Sequence, residues 1–222
     1  MTSLVLGIDT ATPVTAVALV RCDTSTGAVD VIDERSHIDA RRHGEVLPQL
    51  IDAAFAVAGY RPADLDAVSV GVGPGAYTGL RVGIATAQAI GQSLQIPVAG
   101  SVTLDAIAFA TGREQPFAVV TDARRREVFV ARYRDHRSPD GEAWVVRPDA
   151  LAAEIGDLPL VAMPDTPPVP GHAFVECGGP SAADICRVVA YRQREGLPTQ
   201  PVQPLYLRRP DVTASTGPKS VL

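Results

Sequence analysis

The chain has 222 residues, 46% hydrophobic and 20% charged, with a net charge of −5 and a pI near 5.3. It can bury a sizeable core in one large or two small domains, and its acidic balance argues against autonomous nucleic-acid binding, which usually needs a basic face. Lys219 is the only lysine among 20 basic residues, which excludes a Walker A loop and a Schiff-base lysine in a buried pocket.

Cys22, Cys177 and Cys186 are odd in number and lack C-x-x-C spacing, so neither a disulfide framework nor a zinc knuckle is suggested, and reduced cytoplasmic thiols are the expectation. The apolar stretch at 4–8 stops at Asp9, too short for a signal peptide or a membrane span.

In chain order, LVLGIDTATPVTAVALV predicts a β-hairpin, with a polar turn over 9–13 and a second strand over 14–20. A third strand over 28–34 follows, and HIDARRHGE leads into a helix. Its Val46, Leu47, Leu50, Ile51, Ala54, Phe55 and Ala58 form one apolar face that Gly59 ends. DAVSVGV reads as a short buried strand, GVGPGAYTG (71–79) as a turn, and 80–94 as a long helix. Beyond it come a strand end in IPVAG, a helix in VTLDAIAFA, and two strands with an arginine-rich connection in PFAVVTDARRREVFVARY. A strand over 143–146, a helix from Pro148, a Pro-rich loop over 163–172, a strand over 173–176 and a helix over 181–194 complete the order. Three strands followed by alternating helices and strands predict an α/β fold with mixed sheets. The expected division is 1–100, 101–210 and a tail over 211–222.

Glycine-rich strand-to-helix turns bind phosphate when amides converge at a helix start. Neither G-x-G-x-x-G nor G-x-x-x-x-G-K-[ST] fits 71–79, because Ala76, Tyr77 and Thr78 occupy required positions. The turn therefore reads first as a helix dock, with glycines for close approach, Pro74 for stiffness and Thr78 as a cap. The following helix has only a narrow polar stripe of Arg81, Gln88, Gln92 and Gln95, so it needs two apolar neighbours. One is the chain's own sheet. Gly83, Ala87 and Gly91, at four-residue spacing, would admit another subunit's backbone, the alternative being a helix buried within one domain.

IDTATPVTAVAL, RRHGEVLPQLID, VGVGPGAYTGLRVGIATAQAI, IPVAGSVTLDAIA, DARRREVFVARY and PLYLR, in this order, resemble the bacterial TsaB (YeaZ) family over residues 4–208. That family is a subunit of the machinery that makes N6-threonylcarbamoyladenosine (t6A) in tRNA. The resemblance implies the actin-like ATPase (ASKHA) fold, an α/β fold of two related subdomains with mixed sheets, shared with the catalytic paralogue TsaD. It implies a non-catalytic cytoplasmic scaffold that binds TsaD through the helices at 44–58 and 79–94. Interface candidates are Leu47, Leu50, Ile51, Ala54, Leu80, Gly83, Ile84, Ala87, Ile90 and Gly91. TsaE, an ATPase, is the further partner, TsaC makes the adenylate upstream, and ATP or ADP would sit at a shared interface of the complex. TsaD's metal-binding H-x-x-x-H pair is replaced here by Thr103 and Ile107, so no metal site is expected.

Asp9, Thr10 and Thr12 lie where actin-like ATPases hold phosphate and magnesium, which makes them nucleotide-adjacent candidates beside their plainer role of closing a turn. His37, Asp39 and His43 straddle a loop and a helix start and read as solvated groups rather than metal ligands. Asp122, Arg124, Arg125 and Glu127 form either a charged hairpin tip or an inter-subunit or nucleotide-adjacent contact, since arginines make bidentate bonds to carboxylate or phosphate. No G-x-S-x-G, H-E-x-x-H or Cys/His pairing is present, and no residue is assigned a catalytic role. Rival readings are an autonomous actin-like ATPase or kinase, and a protease. Alone, the chain is open to being a monomer or a homodimer.

Overall fold

The run at residues 4–8 is apolar on both sides of its pleat, and the computed structural model, which describes residues 1–208, shows the reason. Strand β1 (Thr2–Asp9) is the middle strand of a five-stranded sheet completed by β2 (Val14–Asp23), β3 (Val29–Ile38), β4 (Ala67–Gly71) and β5 (Val98–Ser101), in the order β3-β2-β1-β4-β5. Successive side chains alternate between faces, and helices cover both. Leu4, Leu6 and Ile8 pack with α1 (His43–Ala58) and α2 (Tyr77–Leu94), whereas Val5 packs with α5 (Ala182–Arg194).

The second sheet uses β6 (Phe117–Asp122), β7 (Val128–Asp135), β8 (Ser138–Pro139), β9 (Trp144–Val146), β10 (Leu160–Ala162) and β11 (Phe174–Glu176). Its order is β11-β10-β6-β7-β8, with β9 also paired to β7. On β6 the same alternation sends Phe117 and Val119 toward α3 (Thr103–Ala110), and Ala118 and Val120 toward α4 (Pro148–Glu154). Helices α3 and α5 touch between the sheets, so the layers run α1/α2, first sheet, α5/α3, second sheet, α4. The last helix thus returns from the second sheet to the first.

Most expected elements appear, with informative differences. Gly59 ends α1 in the left-handed region at φ 72°, as a C-terminal glycine should. Thr78 does not cap α2: the helix already starts at Tyr77, its N-cap is Ala76, and no side chain bonds the cap. Ser181 does cap α5, accepting from the Asp184 amide at 3.1 Å. Strand β3 runs on to Ile38, because backbone pairing to Val14 continues whatever the side-chain polarity. Among the described residues no helix is long and apolar enough to cross a membrane. The tail expected over 211–222 lies outside the described residues.

Candidate functional site

The glycine turn between β4 and α2 docks on the turn between β1 and β2. Any Cβ at Gly75 would fall inside the Ala11 carbonyl, and one at Gly83 would fall on the Thr10 hydroxyl, so only glycine permits this approach. The Thr10 Oγ1 donates to the Gly79 carbonyl at 2.7 Å and accepts from the Gly83 amide at 3.1 Å. Asp9 is fully buried; its Oδ1 accepts from the Ala11 amide at 2.9 Å and its Oδ2 from the Thr103 Oγ1 at 2.7 Å. Burial pushes its pKa up to about 6 although both hydrogen bonds lower it.

A magnesium ion with phosphate, the group this fold's ATPases hold at such a strand end, does not fit these residues. Both Asp9 oxygens and the Thr10 hydroxyl are committed to partners within the chain. Thr12 lies nearer the surface of the turn, where its Oγ1 accepts from the Val14 amide at 3.2 Å. Thr103 and Ile107 are both buried, the first bonding Asp9 and the second packing in the core of the second sheet. Among the described residues no group of three or more His, Cys, Asp or Glu lies together as a metal site would require.

A cleft of about 410 Å³ opens between the sheets next to this sealed turn. Thr12, His43, Pro74 and Tyr77 line one wall; Asp122, Arg124, Arg125 and Phe129 line the other. The second wall ends β6 with three consecutive left-handed residues, Arg124, Arg125 and Arg126, at φ 63°, 54° and 63°. Each costs an L-residue about 1–2 kcal/mol. The turn is held by the Asp122 carboxylate, which accepts from the Arg124 amide at 2.8 Å, and by the Ala123–Glu127 and Glu127–Arg124 backbone bonds, both 3.0 Å.

Residues near the end of the described chain form a strap across the cleft. Gln200 bridges Gly100, and the Leu205 amide donates to the Val72 carbonyl at 2.8 Å. Tyr206 stacks on Tyr77 with ring centroids 4.9 Å apart, and the Arg81 Nε donates to its hydroxyl at 2.9 Å. Arg208 then crosses to the other half, pairing with Glu127 at 3.3 Å. Tyr77 and Tyr206 are 129 positions apart in sequence, and nothing local to either announces the stack.

His43 is corrected from a solvated helix start to a buried group, only 5% exposed. Its Nδ1 lies 2.7 Å from the buried Thr15 Oγ1, and burial lowers its pKa while Asp39 opposes the shift. The signal was present in the sequence: His43, Val46, Leu47, Leu50 and Ile51 continue the apolar face of α1 one step toward its start. His37, by contrast, lies on β3 and does not join it.

The ten residues expected at a partner surface occupy a different place. Leu47, Ile51, Ala54, Leu80, Gly83, Ile84, Ala87 and Gly91 are buried within this chain, and Leu50 and Ile90 are half-buried against the same core. Gly83 meets Thr10 and Gly91 meets Val98, so the close backbone approach they permit is internal. Solvent instead reaches Pro48, Asp52 and Ala56 on α1 and Arg81, Ala85 and Ala89 on α2.

The family model described as TsaD, tRNA N6-adenosine threonylcarbamoyltransferase, matches residues 35–146. An uncharacterized protein of Mycobacterium tuberculosis is 43% identical over 209 residues, covering 94% of this chain and 93% of its own length. The tRNA threonylcarbamoyladenosine biosynthesis protein TsaB of Bacillus subtilis is 33% identical over 132 residues, covering 59% of this chain and 55% of its own length. The solved structure of YeaZ from Pseudomonas aeruginosa superposes with a TM-score of 0.72 at 25% identity, covering 92% of this chain and all of that one. Two mixed sheets with helices between and outside them are the actin-like ATPase fold, and with these likenesses the chain belongs to the TsaB (YeaZ) family.

Proposed function

We propose that this protein serves t6A synthesis in tRNA as a non-catalytic scaffold that binds and activates TsaD, with TsaE as a further partner. The observation that carries this reading is the sealed strand end: Asp9 and Thr10 spend every polar side-chain atom within the chain, so the acid that the fold's ATPases use is not open to phosphoryl chemistry here. The TsaB name of the Bacillus subtilis relative and the TsaD family match point to the same pathway. The same reading takes the chain as two related halves meeting near Gly100, working in the cytoplasm.

Partner contact in this reading uses the outer strip of α1 and α2 rather than their buried faces. Ala85 and Ala89 are exposed four residues apart, and such small residues let a second helix approach closely. Depletion of the protein should lower t6A in bulk tRNA, measured by nucleoside mass spectrometry. Unchanged t6A after complete depletion would remove the function. In the purified protein, Ala89→Arg should leave the fold intact and weaken association with TsaD in size-exclusion runs; wild-type association would move the interface elsewhere.

A further inference from the structure

The cleft carries groups that the scaffold reading does not use. His43 is 5% exposed and lines it, with no hydrogen-bond partner for its Nε2 among the described residues. An imidazole nitrogen that lines a cavity without a partner in the chain is open to a hydrogen bond from a ligand.

The tautomer follows from Thr15. Its buried hydroxyl must place one hydrogen, and the His43 Nδ1 is its only hydrogen-bond partner among the described residues. Thr15 therefore donates to Nδ1, which puts the ring proton on Nε2 and presents an N–H donor to the cleft.

Opposite stands the rim at Arg124. One of its guanidinium nitrogens pairs with the Asp122 carboxylate at 3.3 Å, so several of its five N–H donors remain for another acceptor. Arg125 and Arg208 also line the cleft, and among the described residues the only carboxylates that do are Asp122 and Asp165. Asp122 already accepts from the Arg124 amide and pairs with its guanidinium. Arg208 is itself paired with Glu127 at 3.3 Å, so the donors offered to the cleft at this rim are those of Arg124. Between the two ends the walls are apolar or aromatic, including Tyr77, Phe129, Met163 and Leu207. A volume of about 410 Å³ lies within the range of small-molecule sites.

We propose that the cleft is a binding site for a small organic anion, a carboxylate or phosphate carried on a flat apolar body, held by the His43 Nε2–H and the Arg124 guanidinium. The left-handed turn at 124–126 serves to aim that guanidinium, in keeping with the tendency of backbone strain to gather at ligand clamps. Because the site belongs to this chain alone, its test needs no partner protein and is independent of the scaffold reading.

Three probes of one shape separate the terms: phenyl phosphate, benzoate and the neutral benzyl alcohol, each titrated by calorimetry into the full chain. Long-range ¹H–¹⁵N spectra would follow the His43 ring in parallel. The anions should bind saturably at about 1 mM or tighter, with benzyl alcohol roughly tenfold weaker or worse. The His43 Nε2 resonance should move with the same saturation curve. The stronger of the two anions identifies the natural group as phosphate or carboxylate. Arg124→Asn keeps a residue that tolerates positive φ while removing the guanidinium; it should weaken both anions about tenfold and leave benzyl alcohol unchanged. His43→Phe should abolish anion preference, and if it does not fold, the Arg124 variant still decides. No saturable anion binding up to about 10 mM, equal affinity for benzyl alcohol and benzoate, or undiminished anion binding by Arg124→Asn would each overturn the site.

Discussion

Two strand ends flank the cleft, and they are built in opposite ways. At the end of β1, small residues let backbones press together until Asp9 and Thr10 are enclosed and every polar atom is matched inside the chain. At the end of β6, bulky arginines stand in left-handed backbone at the surface, where the strain is balanced by short turn hydrogen bonds and the side chains stay accessible. One end gains stability through close packing, and the other gives up stability for exposed positive charge.

The largest break in that comparison should come from Ala87→Arg. Ala87 is fully buried on the inner face of α2, and an unpaired buried charge costs several kcal/mol against a total stability of about 5–15 kcal/mol. Loss of cooperative folding by circular dichroism is expected, in contrast to Ala89→Arg. A folded Ala87→Arg protein would show that the packed side is looser than described. Next comes Gly71→Ala, whose methyl would land on the Asp9 carboxylate, with Thr103 only 3.0 Å away. Overpacking of this kind costs about 1–3 kcal/mol, and denaturant titration should show it; wild-type stability would mean that Asp9 can swing aside.

Asp9 also sets a pH dependence. Its pKa is about 6 in the fold against an ordinary 3.8, so the folded state holds the proton more tightly than the unfolded chain. The contribution of this one group to stability is therefore greatest below about pH 4, falls as pH rises toward about 6 and is flat above, a full effect of about 3 kcal/mol. Asp105, also pushed up to about 6 by burial against the opposing Tyr133 hydrogen bond and the Arg192 charge, acts with the same sign. Asp9→Asn should remove its own share of the slope and keep that of Asp105. Identical pH profiles for the two proteins would contradict the enclosure of Asp9.

The smallest effect belongs to the exposed turn. Arg126→Gly relieves one left-handed residue at φ 63° and should stabilise the fold by about 1 kcal/mol or less, raising Tm by roughly 2–4 °C. A fall in Tm would mean that the arginine side chain contributes more than its backbone costs. Glycine is thus expected to help at one strand end, while its replacement by alanine harms the other.

How much of this was legible follows from the range of the interactions. The hairpin of β1 and β2, the face of α1 and its stop at Gly59 rest on neighbours a few residues apart, and hydrophobic period and turn chemistry report them directly. The ordered segments from IDTATP to PLYLR carried the family and its fold. Strand β10 escaped notice because three apolar residues beside a Pro-rich loop have no period to read. Thr78 looked like a cap because caps are named by residue type, whereas the first turn of α2 is fixed by docking at Ala11.

The sequence by itself determined that α2 must bury a broad face, that Asp9 ends a strand within a polar turn, and that positive charge gathers between β6 and β7. Only the tertiary structure decided what each of these meets. Removing apolar surface from water is non-directional and nearly indifferent to the neighbour that does it, so a buried face looks the same in sequence whether its own sheet or another subunit covers it. Hydrogen bonds and close backbone approach are directional, and their partners here, Thr103 for Asp9, Thr15 for His43 and Thr10 for Gly83, stand 94, 28 and 73 positions away along the chain.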